Sequence, residues 1–185
     1  MKKIKLLAIS GSLRKVSYNT AVLNTLAEMS PEHIEIMIAD ISVLPLFNPD
    51  RETESIPALE NIKVALSNVS GLIISSPEYA HGISGPMKNT LDWLVSSSEF
   101  FDLPIMLINT SPRAHHALDA LKEVLITMSG VVVDKAFVEL PLLGTTLNTK
   151  CGKGSGESVY IAQNEEHYKI LTKALNDFYD EVKFL

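Results

Sequence analysis

Short polar side chains follow directly after an apolar run, residues 4–9, near the start of the chain. They include the hydroxyls of Ser12 and Ser17, the guanidinium of Arg14 and the amide of Asn19. Where a buried strand runs into a helix, the unpaired N–H groups and the helix dipole favour an anion. A guanidinium adds a fork of donors that suits phosphate oxygens. The stretch therefore predicts a site for a terminal monophosphate, with an N-capped helix beside an exposed arginine as the alternative.

Two familiar nucleotide-binding motifs are missing from this stretch. Its only glycine is Gly11, so it lacks the G-x-G-x-x-G pattern that brings backbone close to a pyrophosphate. It also lacks the G-x-x-x-x-G-K-[ST] loop that cradles nucleoside triphosphates. The pattern thus argues against a dinucleotide fingerprint and against hydrolysis of a nucleoside triphosphate.

A second polar and aromatic cluster lies in residues 75–94, "SSPEYAHGISGPMKNTLDWL". Its prolines and glycines predict an extended segment that turns tightly into a helix opened by Pro86. Tyr79 and His81 flank the extended part, and Gly82 permits a close approach where a side chain would clash. Such a backbone predicts hydrogen bonds to the edge of a planar heterocycle. An ordinary helix entry is the alternative, which accounts for Pro86 but not for the cluster before it.

Hydrophobic periodicity predicts five strands that alternate with five helices. Parallel strands joined by right-handed helical crossovers form a sheet covered on both faces, so we expect an α/β fold and one domain over residues 1–185. We expect Asn19 to cap the first helix. Ligands of such sheets bind beyond the carboxyl ends of the strands, which points to the loops after the first, third and fourth strands. The predicted strands are 4–9, 33–40, 71–76, 104–109 and 131–140, and the predicted helices are 20–29, 58–68, 86–96, 114–128 and 165–182.

The composition favours small-molecule partners over nucleic acid or membrane. Charged residues make up 21% of the chain and the formal net charge is -6, whereas binding to a nucleic-acid backbone needs clustered lysine and arginine. No apolar run reaches membrane-spanning length. The single cysteine, Cys151, excludes an internal disulfide and favours the reducing cytoplasm. We interpret Cys151 as a loop cysteine without a catalytic setting.

The two clusters together resemble a known family. "GSLRKVSYN" and "PEYAHGISGPMKNTLDWL" are similar to the corresponding motifs of the NAD(P)H-dependent FMN reductase family, the flavodoxin-like quinone, chromate and azo-dye reductases. The resemblance implies a flavodoxin-like three-layer sandwich whose five-stranded parallel sheet has the order 2-1-3-4-5. It also implies FMN as the cofactor and NADPH or NADH as the hydride donor.

The resemblance also assigns site residues. It implies that the first loop holds the FMN phosphate, that the second loop lines the isoalloxazine ring, and that the loop after the fourth strand adds one flavin contact. In the second loop the family usually shows Asn where this chain has Ala80, so a side chain that could contact the flavin is lost. The implied cofactor-binding residues are Ser12, Arg14, Ser17, Asn19 and Thr20 in the first loop, Pro77, Glu78, Tyr79, Ala80, His81 and Gly82 in the second, and Ser111 in the third.

The third loop, "NTSPRAHHALDAL", departs further from the family. Relatives often have a glycine-rich run there, whereas this loop contains no glycine and is stiffer and more polar. We therefore expect nicotinamide access or substrate choice to differ from that of close relatives. The adjacent His115 and His116 diverge on a helix and have no carboxylate or cysteine at ligand spacing, so we predict no metal site.

The resemblance implies that hydride passes from NAD(P)H to bound FMN and then to a small acceptor such as a quinone, azo dye or chromate. The cofactor carries this chemistry, so we predict no catalytic side chain. The resemblance further implies a homodimer or homotetramer, with helix 86–96 and loop 42–57 near the subunit contact. Three alternatives remain open: a flavin reductase that releases reduced FMN to a partner, an electron carrier of the flavodoxin type, and a flavin-binding module without turnover.

Overall fold

Strands and helices alternate along the chain in the computed structural model, which describes residues 2–142 and 161–184. Cys151 lies outside the described residues. The strands are β1 (Ile4–Ser10), β2 (Ile34–Ala39), β3 (Gly71–Ser75), β4 (Glu78–Tyr79), β5 (Gly82–Ile83), β6 (Pro104–Asn109), β7 (Val131–Val132) and β8 (Val138–Glu139). The helices are α1 (Tyr18–Met29), α2 (Pro57–Leu66), α3 (Gly85–Leu94), α4 (His115–Thr127) and α5 (Glu165–Val182).

The main sheet is parallel, with the strand order β2-β1-β3-β6-β7 and with β8 also paired to β6. In the order of the five predicted strands this is 2-1-3-4-5, as expected. The register aligns Ile9 of β1 with Ala39 of β2 and with Ile74 of β3. The carboxyl ends of the central strands therefore meet at one edge of the sheet, where ligands of α/β proteins bind.

The fifth predicted strand, residues 131–140, is wrong in detail. It consists of β7 and β8, separated by a short 3-10 helix, Asp134–Ala136. Asp134 and Lys135 are both exposed. Successive residues of a strand point to opposite faces, and this sheet is covered on both faces, so a regular strand would bury one of the two charges. The 3-10 turn lets both side chains reach solvent and returns Ala136 to the core.

The sheet is buried between two layers of helices, as its continuous apolar strands require. In β1, Leu6 and Ala8 join the core under α1 and α5, while Leu7 and Ile9 join the core under α2, α3 and α4. The same alternation holds along β3 and β6. The result is the three-layer arrangement that the sequence predicts.

The segment predicted to be extended, between β3 and α3, is a short antiparallel hairpin. Its strands β4 and β5 pair Glu78 with Ile83 and Tyr79 with Gly82. Helix α3 then begins at Gly85, with Ser84 as the N-cap residue. Among the described residues, no helix is long and apolar enough to cross a membrane.

Candidate functional site

Three loops meet in one cleft at the carboxyl edge of the sheet. They follow β1, β3 and β6, the strands that the sequence singles out, and the cleft between them has a volume of about 170 Å³. Eight of the twelve predicted site residues line it. The lining residues are Ser12, Arg14, Ser17, Tyr18, Asn19, Pro77, Glu78, Tyr79, Thr110 and Ser111.

The loop after β1 presents unused donors to this cleft. The Oγ of Ser17 accepts a hydrogen bond from the backbone N–H of Thr20, 3.3 Å away, and so caps α1. The Oγ of Ser12 accepts from the backbone N–H of Arg14 at 3.4 Å. Because both hydroxyls act as acceptors in these contacts, each keeps its hydrogen for a further partner. Together with the guanidinium of Arg14 and the positive end of α1, they suit an anion.

Asn19 lines the cleft but is not the N-cap residue that the sequence predicts. The N-cap residue of α1 is Ser17, and Asn19 lies inside the helix. Its Oδ1 accepts hydrogen bonds from Ser75 Oγ at 2.8 Å and from Thr110 Oγ1 at 3.2 Å. All three side chains are buried, so Asn19 joins α1 to the ends of β3 and β6 beneath the cleft.

Gly11 sets how closely the first loop approaches the second. Its carbonyl accepts a hydrogen bond from Ser84 Oγ at 2.6 Å. A Cβ at this position would lie 2.3 Å from Ser76 Oγ and 2.8 Å from Ser76 Cβ. Only a glycine fits such a contact, so the two ligand-facing loops are held together by a steric requirement.

The hairpin after β3 turns through two residues in the left-handed region. Ala80 has φ 50° and His81 has φ 59°, the pattern of a two-residue hairpin turn that usually contains Asn and Gly. Tyr79, just before the turn, lines the cleft and is 50% exposed. The hairpin therefore presents an aromatic side chain to the cleft from a backbone that is locally strained.

Glu78 connects this hairpin to α4. Its Oε2 accepts a hydrogen bond from the backbone N–H of Ala117 at 2.9 Å, and its Oε1 lies 3.1 Å from His81 Nδ1. The ring of His81 packs edge-on against that of His116, with centroids 4.6 Å apart. The hydrogen bond from Ala117, helped by His81 and His116 and opposed by burial, holds the pKa of the Glu78 carboxyl below its ordinary value.

The loop after β6 is ordered by its own polar groups. The Oδ1 of Asn109 accepts from the backbone N–H of Ser111 at 3.1 Å, and Ser111 Oγ accepts from the N–H of Arg113 at 3.4 Å. The Nδ2 of Asn109 is buried and finds no partner within the part of the chain that the structure describes. Ser111 lies at the cleft as predicted, whereas Arg113 and the two histidines that follow are exposed.

Four predicted residues lie beside the cleft rather than in its wall. The Oγ1 of Thr20 is hydrogen-bonded to the Oγ of Ser10 at 2.8 Å, and both residues line a neighbouring groove. The turn residues Ala80 and His81, with Gly82, form the hairpin behind Tyr79. Sequence reasoning missed the lining residues Tyr18 and Thr110, although each directly adjoins a predicted site residue.

Comparison with known proteins decides the family. Residues 4–141 match the family described as NADPH-dependent FMN reductase. The chain belongs to this family. The resemblance noted from the two motifs is thereby confirmed.

Several proteins resemble this NADPH-dependent FMN reductase family member. It is 40% identical over 91 residues to an NAD(P)H-dependent FMN reductase of Pseudomonas aeruginosa, an alignment that covers 49% of either chain. It therefore spans about half the length of that relative. It is 27% identical over 197 residues to a quinone reductase of Escherichia coli, covering 98% of both. It is 30% identical over 128 residues to an NADPH azoreductase of a Bacillus species, covering 69% of this chain and 70% of the other.

The fold also matches solved structures. A flavoenzyme NAD(P)H:(acceptor) oxidoreductase of Paracoccus denitrificans superimposes with a TM-score of 0.74 over 98% of each chain, at 21% sequence identity. An NADH:FMN oxidoreductase in its apo form gives a TM-score of 0.65 at 22% identity, over 97% of this chain and 90% of the other. These matches confirm the flavodoxin-like fold that the sequence implies.

The residues of the cleft fit the flavin that defines the family. A phosphate needs several donors and positive charge, which Ser12, Ser17, Arg14 and the start of α1 supply. A planar ring system needs an apolar or aromatic wall, which Pro77 and Tyr79 supply. The donor set and the aromatic wall both belong to the lining of one cleft, as a phosphate and a ring joined by a short chain require.

Proposed function

We propose that this protein is an FMN-dependent NAD(P)H oxidoreductase that passes hydride from NADPH or NADH to bound FMN and on to a small acceptor, such as a quinone, azo compound or chromate. The observation that carries the proposal is the convergence of an anion-binding loop and an aromatic hairpin on one cleft. Family membership and the names of the relatives support it.

We assign the phosphate end of the site to the loop after β1. Arg14 would pair with the phosphate, and the hydroxyls of Ser12 and Ser17 would donate to its oxygens, because both act as acceptors within the loop and keep their hydrogens. Asn19 supports this loop from below through Ser75 and Thr110. These residues bind and orient, and none of them has to move a proton.

We assign the ring end to the hairpin and to Ser111. When bound, FMN supplies a centre that accepts hydride and releases electrons singly or in pairs. The chain contributes the wall of the cleft and its orientation relative to the open side. Tyr79 is half exposed, so the ring end of the site is open to a second planar molecule. Such access is required if the nucleotide and the electron acceptor bind there in turn.

Steady-state oxidation of NADH and NADPH tests this function. The purified protein, loaded with FMN, is assayed with a quinone, an azo dye, chromate and free flavin as separate acceptors. We expect rapid oxidation of at least one nucleotide with the quinone or azo dye. Protein that binds FMN but oxidises neither nucleotide with any acceptor would contradict the proposal and favour an electron carrier or a binding module. Turnover with free flavin alone would favour a flavin reductase that serves a partner.

We also propose that the protein forms a homodimer or homotetramer through α3 and the loop before α2. The carbonyl of Pro45 accepts hydrogen bonds from Asn89 Nδ2 at 2.9 Å and from Trp93 Nε1 at 2.8 Å, which fixes the loop on α3. Leu46, next to it, is 83% exposed, and a rigidly held exposed apolar side chain suits a protein contact. Light scattering should give a molar mass of two or four times 20.3 kDa. Leu46→Asp should lower that molar mass. A monomeric wild type would contradict this.

Two broader expectations also stand as proposals. We propose that residues 1–185 form a single domain, which is supported by the central sheet of the described residues, against which α1 to α5 pack. We propose the cytoplasm as the compartment, on the basis of a single cysteine in the sequence. Fractionation of the cells that produce the protein checks the compartment.

A further inference from the structure

The hairpin that faces the cleft is not stable by its own sequence. Each of its strands has only two residues, and an isolated hairpin is marginal even when longer. Its turn places Ala80 and His81 in the left-handed region, which side chains with a Cβ disfavour. A strained turn persists only where contacts with the surrounding structure hold it in that conformation. Something outside the hairpin must therefore hold it in place.

Helix α4 lies against both strands of the hairpin. Its N-terminus lacks a side-chain cap from its own sequence. Its N-cap residue is Ala114, which makes no side-chain cap hydrogen bond. The first N–H groups of a helix have no partner within the helix, and a residue such as Ala cannot supply one. The carboxylate of Glu78 supplies it from the hairpin, through Oε2 and the N–H of Ala117 at 2.9 Å.

The same carboxylate also restrains the turn. Its second oxygen lies 3.1 Å from His81 Nδ1, and the ring of His81 packs against His116 of α4. The Glu78 side chain is only 12% exposed, whereas that of His81 is 77% exposed. One partly buried carboxylate thus joins the start of α4, the strained turn and the wall of the cleft.

We propose that Glu78 is a positioning residue: by capping α4 it fixes the strained hairpin 78–83 as a rigid wall for the flavin ring. This inference rests on the proposed function, because the ring end of the cleft is assigned to the hairpin there. Glu78 acts through the hairpin and not through the phosphate end, so it supports the binding of the ring whether or not a phosphate is attached.

The test compares FMN with riboflavin, which lacks the phosphate, as ligands of wild type and Glu78→Gln. Gln keeps the size of the side chain and loses its charge. Loss of a charge-assisted hydrogen bond predicts dissociation constants raised about tenfold, by the same factor for both ligands, and a changed visible circular dichroism of the bound flavin. Glu60→Gln is the matched control, since that carboxylate accepts from Ser55 at 2.7 Å on the exposed side of α2. We expect it to bind both ligands as wild type does.

A second substitution separates positioning from direct contact. In the Glu78→Gln background, Ala80→Gly relieves the strain at one of the two left-handed turn residues and leaves the His81–His116 contact in place. If Glu78 acts by holding the hairpin, the double variant regains most of the lost riboflavin affinity. If Glu78 touches the flavin itself, Ala80→Gly restores nothing, and the proposal is overturned. Unchanged affinity in Glu78→Gln would also overturn it.

A milder variant keeps the proposal testable if Glu78→Gln does not fold. His116→Ala removes the ring that packs on His81 and leaves the carboxylate in place. We expect an equal loss for FMN and riboflavin of about threefold, in line with a single ring contact, and no loss would overturn the proposal. Wild type that fails to bind FMN at all would contradict the proposed function instead, so the two failures are distinguishable.

Discussion

The Oδ1 atom of Asn19 accepts a hydrogen bond from the Oγ of Ser75, 2.8 Å away, across 56 positions of the chain. This contact joins the first helix to the end of the central strand β3 directly under the cleft. Because both side chains are buried, the relative position of the loop after β1 and the hairpin depends on a polar contact inside the protein. It is therefore a structural element of the site, whichever ligand the site holds.

Asn19→Ala should destabilise the fold. It leaves the buried hydroxyl of Thr110 without its acceptor and removes one of two acceptors of Ser75, which costs about 1–3 kcal/mol for an unsatisfied buried group. Urea denaturation measures the free energy of unfolding. Asn176→Ala, on an exposed position of α5, is the control and should stay within about 0.5 kcal/mol of wild type. Equal effects of the two substitutions would contradict this role.

The role of Asn19 illustrates what the sequence could and could not predict. Ser17 and Asn19 are both good cap residues, so local preference could not choose between them. The choice depends on Ser75 and Thr110, which are distant in sequence and reach Asn19 only after the sheet forms. The sequence predicted that the loop binds an anion, but not which polar residue supports it from inside.

The sheet was predictable for a physical reason. Parallel strands covered on both faces require continuous apolar runs, and these are visible in β1, β3 and β6 without any knowledge of tertiary contacts. The hairpin was not predictable, because Ala80 and His81 give no turn signal of the Asn-Gly kind. Its conformation is imposed by Glu78 and α4, which are tertiary contacts.

Gly11→Ala should damage both stability and ligand binding. The added Cβ would overlap Ser76, so the loops after β1 and β3 must move apart, at a cost of about 1–3 kcal/mol. Thermal unfolding and FMN titration measure the two effects. The matched control is Gly85→Ala, where an added Cβ meets nothing within 4 Å apart from its own chain neighbours and helix backbone. If Gly11→Ala is as stable as Gly85→Ala, the steric account is wrong.

Arg14→Ala should separate the two ends of the ligand. Loss of a charged contact to phosphate predicts about 10- to 100-fold weaker binding of FMN and little change for riboflavin. Lys15→Ala is the control for general charge, because Lys15 is exposed next to Arg14 and does not line the cleft. Equal losses for FMN and riboflavin would show that Arg14 does not serve the phosphate.

The Glu78 contact should make stability depend on acid pH. The pKa of Glu78 is lowered from an ordinary 4.5, chiefly by the hydrogen bond from Ala117. A carboxyl whose pKa is lower in the folded state stabilises the protein above its ordinary pKa, and the contribution is lost as the pH falls through the lowered value. His81 and His116 face the same carboxylate.

The stability difference between wild type and Glu78→Gln should therefore shrink as the pH falls below the ordinary pKa of 4.5 and through the lowered pKa of Glu78. Thermal unfolding midpoints at a series of pH values measure it. A difference that is as large at the acid end as at neutral pH would show that the carboxylate charge is not what holds the hairpin.

A titration of the apoprotein with FMN, monitored by quenching of the flavin fluorescence, tests most directly whether the cleft binds FMN. We expect quenching that saturates at one FMN per chain, with riboflavin bound more weakly because it lacks the phosphate that we assign to Ser12, Arg14 and Ser17. Absence of quenching, or equal affinity for FMN and riboflavin, would contradict the assignment of the cleft to FMN.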